Sequence, residues 1–412
     1  MPYHPDKRTA HLSLGVQKPT SVEQPMPQTQ DEAHATGSKL SEPQYLAPAP
    51  SILLDIVRFL AALTVAIGHL SQSYFTTGWP PILMNFAEGS VSVFFILSGF
   101  MIRYITRVKY GDLRRYSVDR VARIYSVVLP TMALTILFDL LSSHFNPAFY
   151  TTNFGEGPGH GTFDLPLVHI AFSQAWSHVA RVLLSLTMLS QSWFRDSSPL
   201  SNSPFWSLSY ECVYYALFGI ALYLRGKKRI AGILLVFLLI GPTIFLMFPL
   251  WLLGCAAYDL YQDGALKRNA ILKLAALSLL SVAGVHGSRA LIDHFHANWF
   301  YIGRLVPSMD IVAIATVAIL LPLCIATRDL QISEKHLVVR GIRRVAAATF
   351  PLYLIHFPLF VLIAATVPYP HHSLWAKFAL LATALTLSLF LANLCDSLKD
   401  YLRKTFIPPS RP

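Results

Sequence analysis

The chain of 412 residues is far more apolar than a soluble protein of the same length. Hydrophobic residues make up 54% of it and charged residues 13%, whereas roughly 25% of the residues in ordinary globular domains are charged. A soluble core could not bury this much apolar surface, so the composition excludes a soluble enzyme, a disulfide-stapled scaffold and a disordered chain. The formal net charge of +11 fits either a nucleic-acid-binding protein or a membrane protein, and the placement of the charges decides between them.

Residues 1–50 differ in composition from the rest of the chain. They are rich in Pro, Gln, Ser and His and contain no apolar run of signal-peptide length. We interpret them as a disordered cytoplasmic tail without a cleaved targeting segment. Residues 51–396 are the predicted transmembrane domain, and residues 397–412 are predicted to form a short basic cytoplasmic tail.

Apolar runs recur from Ser51 onward, and a helix needs roughly 20 apolar residues to cross about 30 Å of hydrocarbon. The predicted fold is therefore an all-α integral membrane protein with a bundle of about ten transmembrane helices. The long outer connection 142–204 contains a stretch, 166–193, that is too polar for a span and predicts an extra interfacial helix. The predicted spans are residues 52–72, 88–106, 123–141, 205–224, 230–247, 249–262, 270–286, 307–326, 346–366 and 375–396.

The positions of Lys and Arg test the span count and the orientation together. With the N-terminus in the cytoplasm, 27 of the 33 basic residues fall in cytoplasmic segments and 5 in outer segments. Cytoplasmic loops collect Lys and Arg, so this asymmetry predicts a multi-pass membrane protein with both termini in the cytoplasm. It also explains the basic balance without nucleic acid.

The first span, LDIVRFLAALTVAIGHL, contains three ionisable residues, Asp55, Arg58 and His69. Such groups are costly in lipid, which makes them candidates for function. At 100° per residue, Arg58 and His69 project from one helix face, about 16 Å apart along the axis. Asp55 lies three residues before Arg58 and is close enough to pair with it. The structural alternative is an Asp–Arg pair that holds the helix near the inner interface, with His69 as a core histidine.

Arg120 and Arg123 lie in a basic segment at the inner end of the third span. They share a helix face because they are three residues apart, and guanidinium groups bind phosphate oxygens bidentately. One interpretation is therefore a phosphate-bearing ligand at the inner membrane surface. The other is simple anchoring of a basic cytoplasmic loop.

Three further elements place polar residues within apolar helices. Glu211 lies inside the fourth span with no cation near it in the sequence, which predicts a partner on another helix or a functional role. The Ser98-Gly99 pair permits close approach of a neighbouring helix or of a ligand. His356 precedes a helix-kinking Pro358, and here functional and structural interpretations are equally open. None of the histidines has the spacing of a metal site, so no metal is predicted.

Five sequence elements together resemble those of acyltransferase family 3, whose members are integral membrane O-acyltransferases. The elements follow one another in the order in which the family has them, from about residue 52 to residue 396. The resemblance is to members without a C-terminal SGNH-type domain, because the chain ends soon after the last predicted span. The elements are the Asp55, Arg58 and His69 pattern, FFILSGFMI (94–102), RVARIY (120–125), PFWSLSYECVYY (204–215) and YLIHFPL (353–359).

The resemblance implies an enzyme that moves an acyl group, foremost acetyl, from cytoplasmic acyl-CoA to a hydroxyl of an extracytoplasmic carbohydrate. Lipopolysaccharide O-antigen and exopolysaccharide are the implied acceptors, and acyl-CoA is a co-substrate rather than a bound cofactor. Arg58, Arg120 and Arg123 would bind CoA phosphates.

The catalytic candidates implied by the resemblance are His69 and Glu211. His69 would be a general base or a transient acyl carrier, and Glu211 would orient His69 or bind the sugar. The candidate substrate-binding residues are Asp55, Ser98, Trp206, Ser207 and His356, with Trp176 and Trp193 as additional stacking platforms for carbohydrate.

A transporter or exporter of a polysaccharide or its precursor is the alternative function. Ten spans with polar groups near the midplane of the bilayer fit a transporter as well as an enzyme. The sequence shows no inverted repeat, however, and a cluster of arginines suits a phosphate-bearing donor better than a neutral sugar. Both features favour the enzyme.

Overall fold

The computed structural model describes residues 45–80, 82–109, 111–149, 175–193, 197–263, 272, 274–280, 282–283 and 307–406. Over these residues the regular structure is helical, with no strand, which agrees with the predicted all-α class. Most of the predicted N-terminal tail lies outside the described residues. The helices are α1 (Pro48–Leu70), α2 (Ile82–Val108), α3 (Leu113–Phe145), α4 (Ala175–Leu186), α5 (Trp206–Tyr223), α6 (Gly226–Ile240), α7 (Thr243–Leu246), α8 (Phe248–Asp263), α9 (Pro307–Ala326), α10 (Leu337–Ala347), α11 (Thr349–Thr366) and α12 (Leu374–Phe406).

Six of the described helices are long and apolar enough to cross a membrane. They are α1, α2, α3, α9, α11 and α12, and each coincides with one of the ten predicted spans. The protein is therefore an all-helical membrane protein in the part of the chain that the structure describes.

The other four predicted spans are not confirmed as spans. The predicted span 205–224 is the helix α5, whose 18 residues include Ser207, Ser209 and Glu211. The helices α6 and α8 have 15 and 16 residues, which rise about 22–24 Å and fall short of about 30 Å of hydrocarbon. The predicted span 270–286 lies largely outside the described residues.

A 12-residue helix, α4, lies within the stretch 166–193 for which an interfacial helix is predicted. The first residues of that stretch fall outside the described part of the chain. The position of α4 at a membrane interface stays a prediction.

Two helices extend well beyond the spans predicted for them. The helix α3 begins at Leu113, because the Asp112 side chain accepts a 2.9 Å hydrogen bond from the amide of Arg115 and caps the helix. The helix α12 runs on to Phe406, so residues 397–406, predicted as part of a short tail, are helical. Both extensions carry basic residues into the bundle.

The helices α1 and α3 begin, and α2 and α12 end, at one end of the bundle, which we call the basic end. Three ion pairs show that these helix termini meet there. Asp119 of α3 pairs with Lys109, the residue after α2, and with Arg403 of α12. Asp55 of α1 pairs with Arg343 of α10, the helix that precedes α11.

The helices α2 and α8 cross very closely because each contributes a glycine at the crossing. A Cβ atom at Gly99 would lie 2.1 Å from the carbonyl oxygen of Trp251. A Cβ atom at Gly254 would lie 2.0 Å from the carbonyl oxygen of Ile96. The expectation that the Ser98-Gly99 pair permits close helix approach is thus confirmed at Gly99.

We expect Gly99→Ala to destabilise the protein by about 1–3 kcal/mol, because the added methyl group forces the backbones of α2 and α8 apart. The matched control is Gly341→Ala in α10, where an added Cβ meets no atom within 4 Å. Thermal unfolding of the detergent-purified variants measures the effect. Equal midpoints for the two variants would show that the crossing tolerates a wider separation.

Candidate active site

A cavity of about 340 Å³ extends from the basic end into the bundle. Side chains from α1, α2, α3, α5, α11 and α12 line it, so residues far apart in the sequence converge on one space. Six cations and two acids are among them, which makes the cavity strongly electropositive. These charged residues are Arg58, Lys109, Arg120, Arg123, Lys399 and Arg403, with Asp119 and Glu211.

A second cavity of about 240 Å³ adjoins the first. The two share Arg58, Arg123 and Lys399, together with Thr349 and Phe350 of α11. The shared cations therefore border both spaces. The second cavity is also lined by two acids and a further cation. Those additional charged residues are Asp55, Arg343 and Asp396.

Asp55 and Arg58 pair as the sequence predicts, with Arg58 Nη1 at 3.4 Å from Asp55 Oδ1. The other carboxylate oxygen of Asp55 accepts a hydrogen bond from Arg343, which the sequence analysis missed. Arg343 also donates to the hydroxyl of Ser51 at 2.9 Å and to Glu334 at 2.8 Å. The hydrogen bond from Arg343 lowers the pKa of the exposed Glu334 carboxyl. Asp55 therefore joins α1 to α10 at the rim of the second cavity.

Arg120 and Arg123 both line the larger cavity, in agreement with the prediction that they share a helix face. The guanidinium of Arg120 lies over the ring of Tyr215, 5.8 Å from its centroid. Arg123 is more exposed and borders both cavities. Among the described residues, no acidic side chain forms an ion pair with Arg123. Its charge is thus available to an anionic ligand.

Glu211 finds its partner on another helix, as its isolation in the sequence predicts. The hydroxyl of Ser98 donates to Glu211 Oε1 at 2.8 Å, and the hydroxyl of Tyr215 donates to the same oxygen. Trp251 Nε1 in turn donates to the Ser98 hydroxyl at 3.1 Å. These contacts fix the carboxylate in the part of the cavity wall that α2 and α5 form.

Ser207 also reaches this part of the cavity. Its hydroxyl lies 2.7 Å from the hydroxyl of Tyr353 on α11, and both residues line the cavity wall. The ring of Phe94 packs edge-on against Tyr353 at 5.2 Å between centroids. The far wall therefore combines hydroxyl groups with aromatic surface.

His69 lies beyond this wall and does not line either of the two cavities. Its ring is 5.4 Å from that of His356 and 5.1 Å from that of Phe357, measured between centroids. His356 is fully buried, and its Nδ1 lies 2.9 Å from the Leu352 carbonyl oxygen. The His356 ring is in turn 6.5 Å from that of Tyr353.

The sequence places Arg58 and His69 on one helix face and offers Glu211 as a residue that orients His69. The shared face of Arg58 and His69 does not place both in one cavity. The contacts shown for Glu211 are with Ser98 and Tyr215, and they give no support to an orienting role on His69.

The aromatic residues proposed as carbohydrate platforms differ in their exposure. Trp206 is only 6% exposed and packs edge-on against Tyr210, so it presents no open ring face. Trp193 is 46% exposed, with its Nε1 donating to the Leu238 carbonyl oxygen at 2.9 Å. The side chain of Trp176 lies outside the described residues.

The residues that could hold a ligand are thus cations and hydroxyl groups. Over the described part of the chain, no three His, Cys, Asp or Glu side chains are grouped so as to hold a metal ion. The cavity suits an organic anion whose charged part lies at the basic end.

A sequence model of the acyltransferase domain matches residues 52–393, most of the chain. The chain belongs to acyltransferase family 3. Neither a search of curated proteins nor a search of solved structures gave a match. Membership of the family makes the protein a membrane acyltransferase and favours the enzyme over the transporter that the sequence left as the alternative.

We expect the Asp55–Arg343 pair to be coupled by about 1 kcal/mol, because both side chains are partly buried and the carboxylate also serves Arg58. A double-mutant cycle with Asp55→Asn and Arg343→Gln, read by thermal unfolding, measures the coupling. The exposed Asp112–Arg115 pair is the control, and its coupling should be near zero. Additive effects at Asp55 and Arg343 would mean that the pair contributes nothing to stability.

Proposed function

We propose that the protein moves an acyl group, most simply acetyl, from acyl-CoA to a hydroxyl of an extracytoplasmic carbohydrate. Lipopolysaccharide O-antigen and exopolysaccharide are the acceptors that we propose. The observation that carries the proposal is the larger cavity, which extends from cations at the basic end, past the arginines of α1 and α3, to Ser98, Ser207 and Glu211. An acyl-CoA has the same polarity, with phosphates at one end and a neutral thioester at the other.

The distribution of basic residues supports a cytoplasmic position for the basic end. Positive charge collects on the cytoplasmic side of membrane proteins, and acyl-CoA is a cytoplasmic metabolite. We therefore place the protein in a bacterial inner membrane, with both termini in the cytoplasm and with the cavity open to the cytoplasmic donor.

On the donor side, Arg58, Arg120 and Arg123 would hold the CoA phosphates. Guanidinium forks bind phosphate oxygens bidentately, and such charge-assisted bonds are stronger than neutral ones. Arg123 is the strongest candidate because it borders both cavities and forms no ion pair with an acid among the described residues. Asp55 holds Arg58 in place through their 3.4 Å contact.

On the acceptor side, His69 would act as the general base. A neutral imidazole takes the proton from the acceptor hydroxyl while the oxygen attacks the thioester carbonyl. The bond from carbonyl carbon to sulfur breaks, and the CoA thiolate leaves and takes up a proton. The alternative is that His69 itself accepts the acyl group and passes it to the hydroxyl.

The position of His69 beyond the cavity wall fits a role between donor and acceptor. Tyr353 joins the two regions, since its hydroxyl contacts Ser207 in the cavity and its ring lies 6.5 Å from that of His356. Glu211 would act at the thioester end of the cavity, where Ser98 and Tyr215 fix its carboxylate. His356 would support His69 from the adjacent helix.

We expect His69→Asn to lower acyl transfer at least about 100-fold, the usual scale for loss of a general base. Membranes that contain the full-length protein are incubated with labelled acetyl-CoA, and the label in surface polysaccharide is counted. The control is His144→Ala, an exposed histidine at the other end of α3. Retained activity in His69→Asn would remove His69 from the mechanism. Release of one CoA per protein without acceptor would favour the acyl carrier over the general base.

We expect Arg123→Ala to raise the KM for acetyl-CoA by about tenfold, the effect of one lost charge-assisted phosphate contact. The KM for the polysaccharide fraction should stay unchanged. The control is Arg115→Ala on the same helix, an exposed arginine that lines neither cavity. Unchanged donor kinetics in Arg123→Ala would show that Arg123 serves only to anchor the helix.

A further inference from the structure

A second group of cations lines the larger cavity beside the arginines assigned above. It is centred on Asp119, a buried carboxylate of α3. Arg403 Nε lies 2.5 Å from one carboxylate oxygen, while Lys109 Nζ and Arg120 Nη2 lie 3.3 and 3.9 Å from the other. One carboxylate therefore holds cations from α3, from α12 and from the end of α2.

Arg403 and Lys399 both face the cavity from α12. They are four residues apart, so they lie on one face of the helix, and both line the cavity wall. Arg403 uses its Nε atom for Asp119, and its two Nη groups form no ion pair with an acid among the described residues. A guanidinium held in this way presents a fixed pair of donors to an anion.

Helix geometry orders the two groups of cations along the cavity. Asp119 precedes Arg123 by four residues on α3 and so lies about 6 Å nearer the start of that helix. Arg403 follows Lys399 by the same spacing on α12, about 6 Å nearer its end. Arg123 and Lys399 border both cavities, whereas Arg403 and Asp119 border only the larger one. Arg403 and Asp119 therefore lie nearer the basic end. Arg123 and Lys399 lie about one turn deeper, beside Arg58, which also borders both cavities.

We propose that Arg403, with Lys399 and Lys109, forms a separate subsite for the 3′-phosphate of CoA. This inference rests on the proposed function, which makes acyl-CoA the donor. The pyrophosphate of CoA lies between its pantetheine arm and its ribose, and the phosphomonoester lies on the ribose itself. With the thioester at the deep end and the pyrophosphate on Arg58 and Arg123, the phosphomonoester falls nearer the basic end.

The charge of the ligand supports the same assignment. A phosphomonoester carries between one and two negative charges near pH 7, more than either phosphate of the pyrophosphate. Lys399 also pairs with Asp396, so the three cations exceed the two carboxylates, Asp119 and Asp396, by one positive charge. The guanidinium and the two ammonium groups offer enough donors for the three terminal oxygens of the phosphomonoester. The subsite distinguishes CoA from its 3′-dephospho form.

The test compares the binding of two probes, CoA and 3′-dephospho-CoA, to the detergent-purified full-length protein. We expect the unaltered protein to bind CoA about tenfold more tightly, because only CoA reaches the subsite. Arg403→Ala should remove this preference by weakening CoA binding and leaving the affinity for 3′-dephospho-CoA unchanged. The matched control is Lys404→Ala, the exposed neighbour on α12 that lines neither cavity and should keep the full preference.

The preference separates a binding role from a structural one, because loss of the Arg403–Asp119 pair by itself would weaken both probes equally. Equal affinities of the unaltered protein for the two probes, or equal losses in Arg403→Ala, would overturn the subsite while leaving the acyl-CoA donor in place. Failure of the unaltered protein to bind either probe would overturn the donor assignment and the subsite with it. If Arg403→Ala does not fold, Lys399→Ala is tested in its place. It should also reduce the preference for CoA over 3′-dephospho-CoA.

Discussion

The basic end of the bundle depends on two carboxylates, Asp55 and Asp119, that hold several cations each. Asp55 pairs with Arg58 and Arg343, and Asp119 pairs with cations that include Arg403. Cations converging on a partly dehydrated cavity repel one another, and removal of a buried carboxylate leaves charges without compensation. Asp55 and Asp119 also join the ends of helices that are distant in sequence. The same contacts therefore shape the cavity and fix the helix ends that line it.

The cavity wall around Glu211 depends on helix packing instead of ion pairs. Gly99 lets α2 approach α8 so closely that Ser98 reaches the indole of Trp251. Ser98 then donates to Glu211 on α5, which also accepts from Tyr215. A small residue at one position thus determines where an acid on another helix can lie. The position of Glu211 is for this reason sensitive to the packing of α2 on α8.

The sequence predicted the parts of the site that depend on local spacing. The Asp55–Arg58 pair and the common face of Arg120 and Arg123 follow from a separation of three residues on a helix. Arg343 and Arg403 were missed because only tertiary packing brings them to the cavity, and each looks like an ordinary basic residue of an inner loop or tail.

The predicted spans are confirmed for six helices and stay a prediction for the other four. The predicted spans rest on apolar length, and α5, α6 and α8 are polar or short helices that the bundle supports in part through contacts such as the α2–α8 crossing.

The helical angle between Arg58 and His69 shows only that their side chains leave α1 in the same direction. It could not show that Tyr353 and His356 would lie between the larger cavity and His69. In the proposed reaction, an acceptor hydroxyl at His69 would have to reach the thioester past Tyr353 and Phe94, whose rings pack edge-on at 5.2 Å.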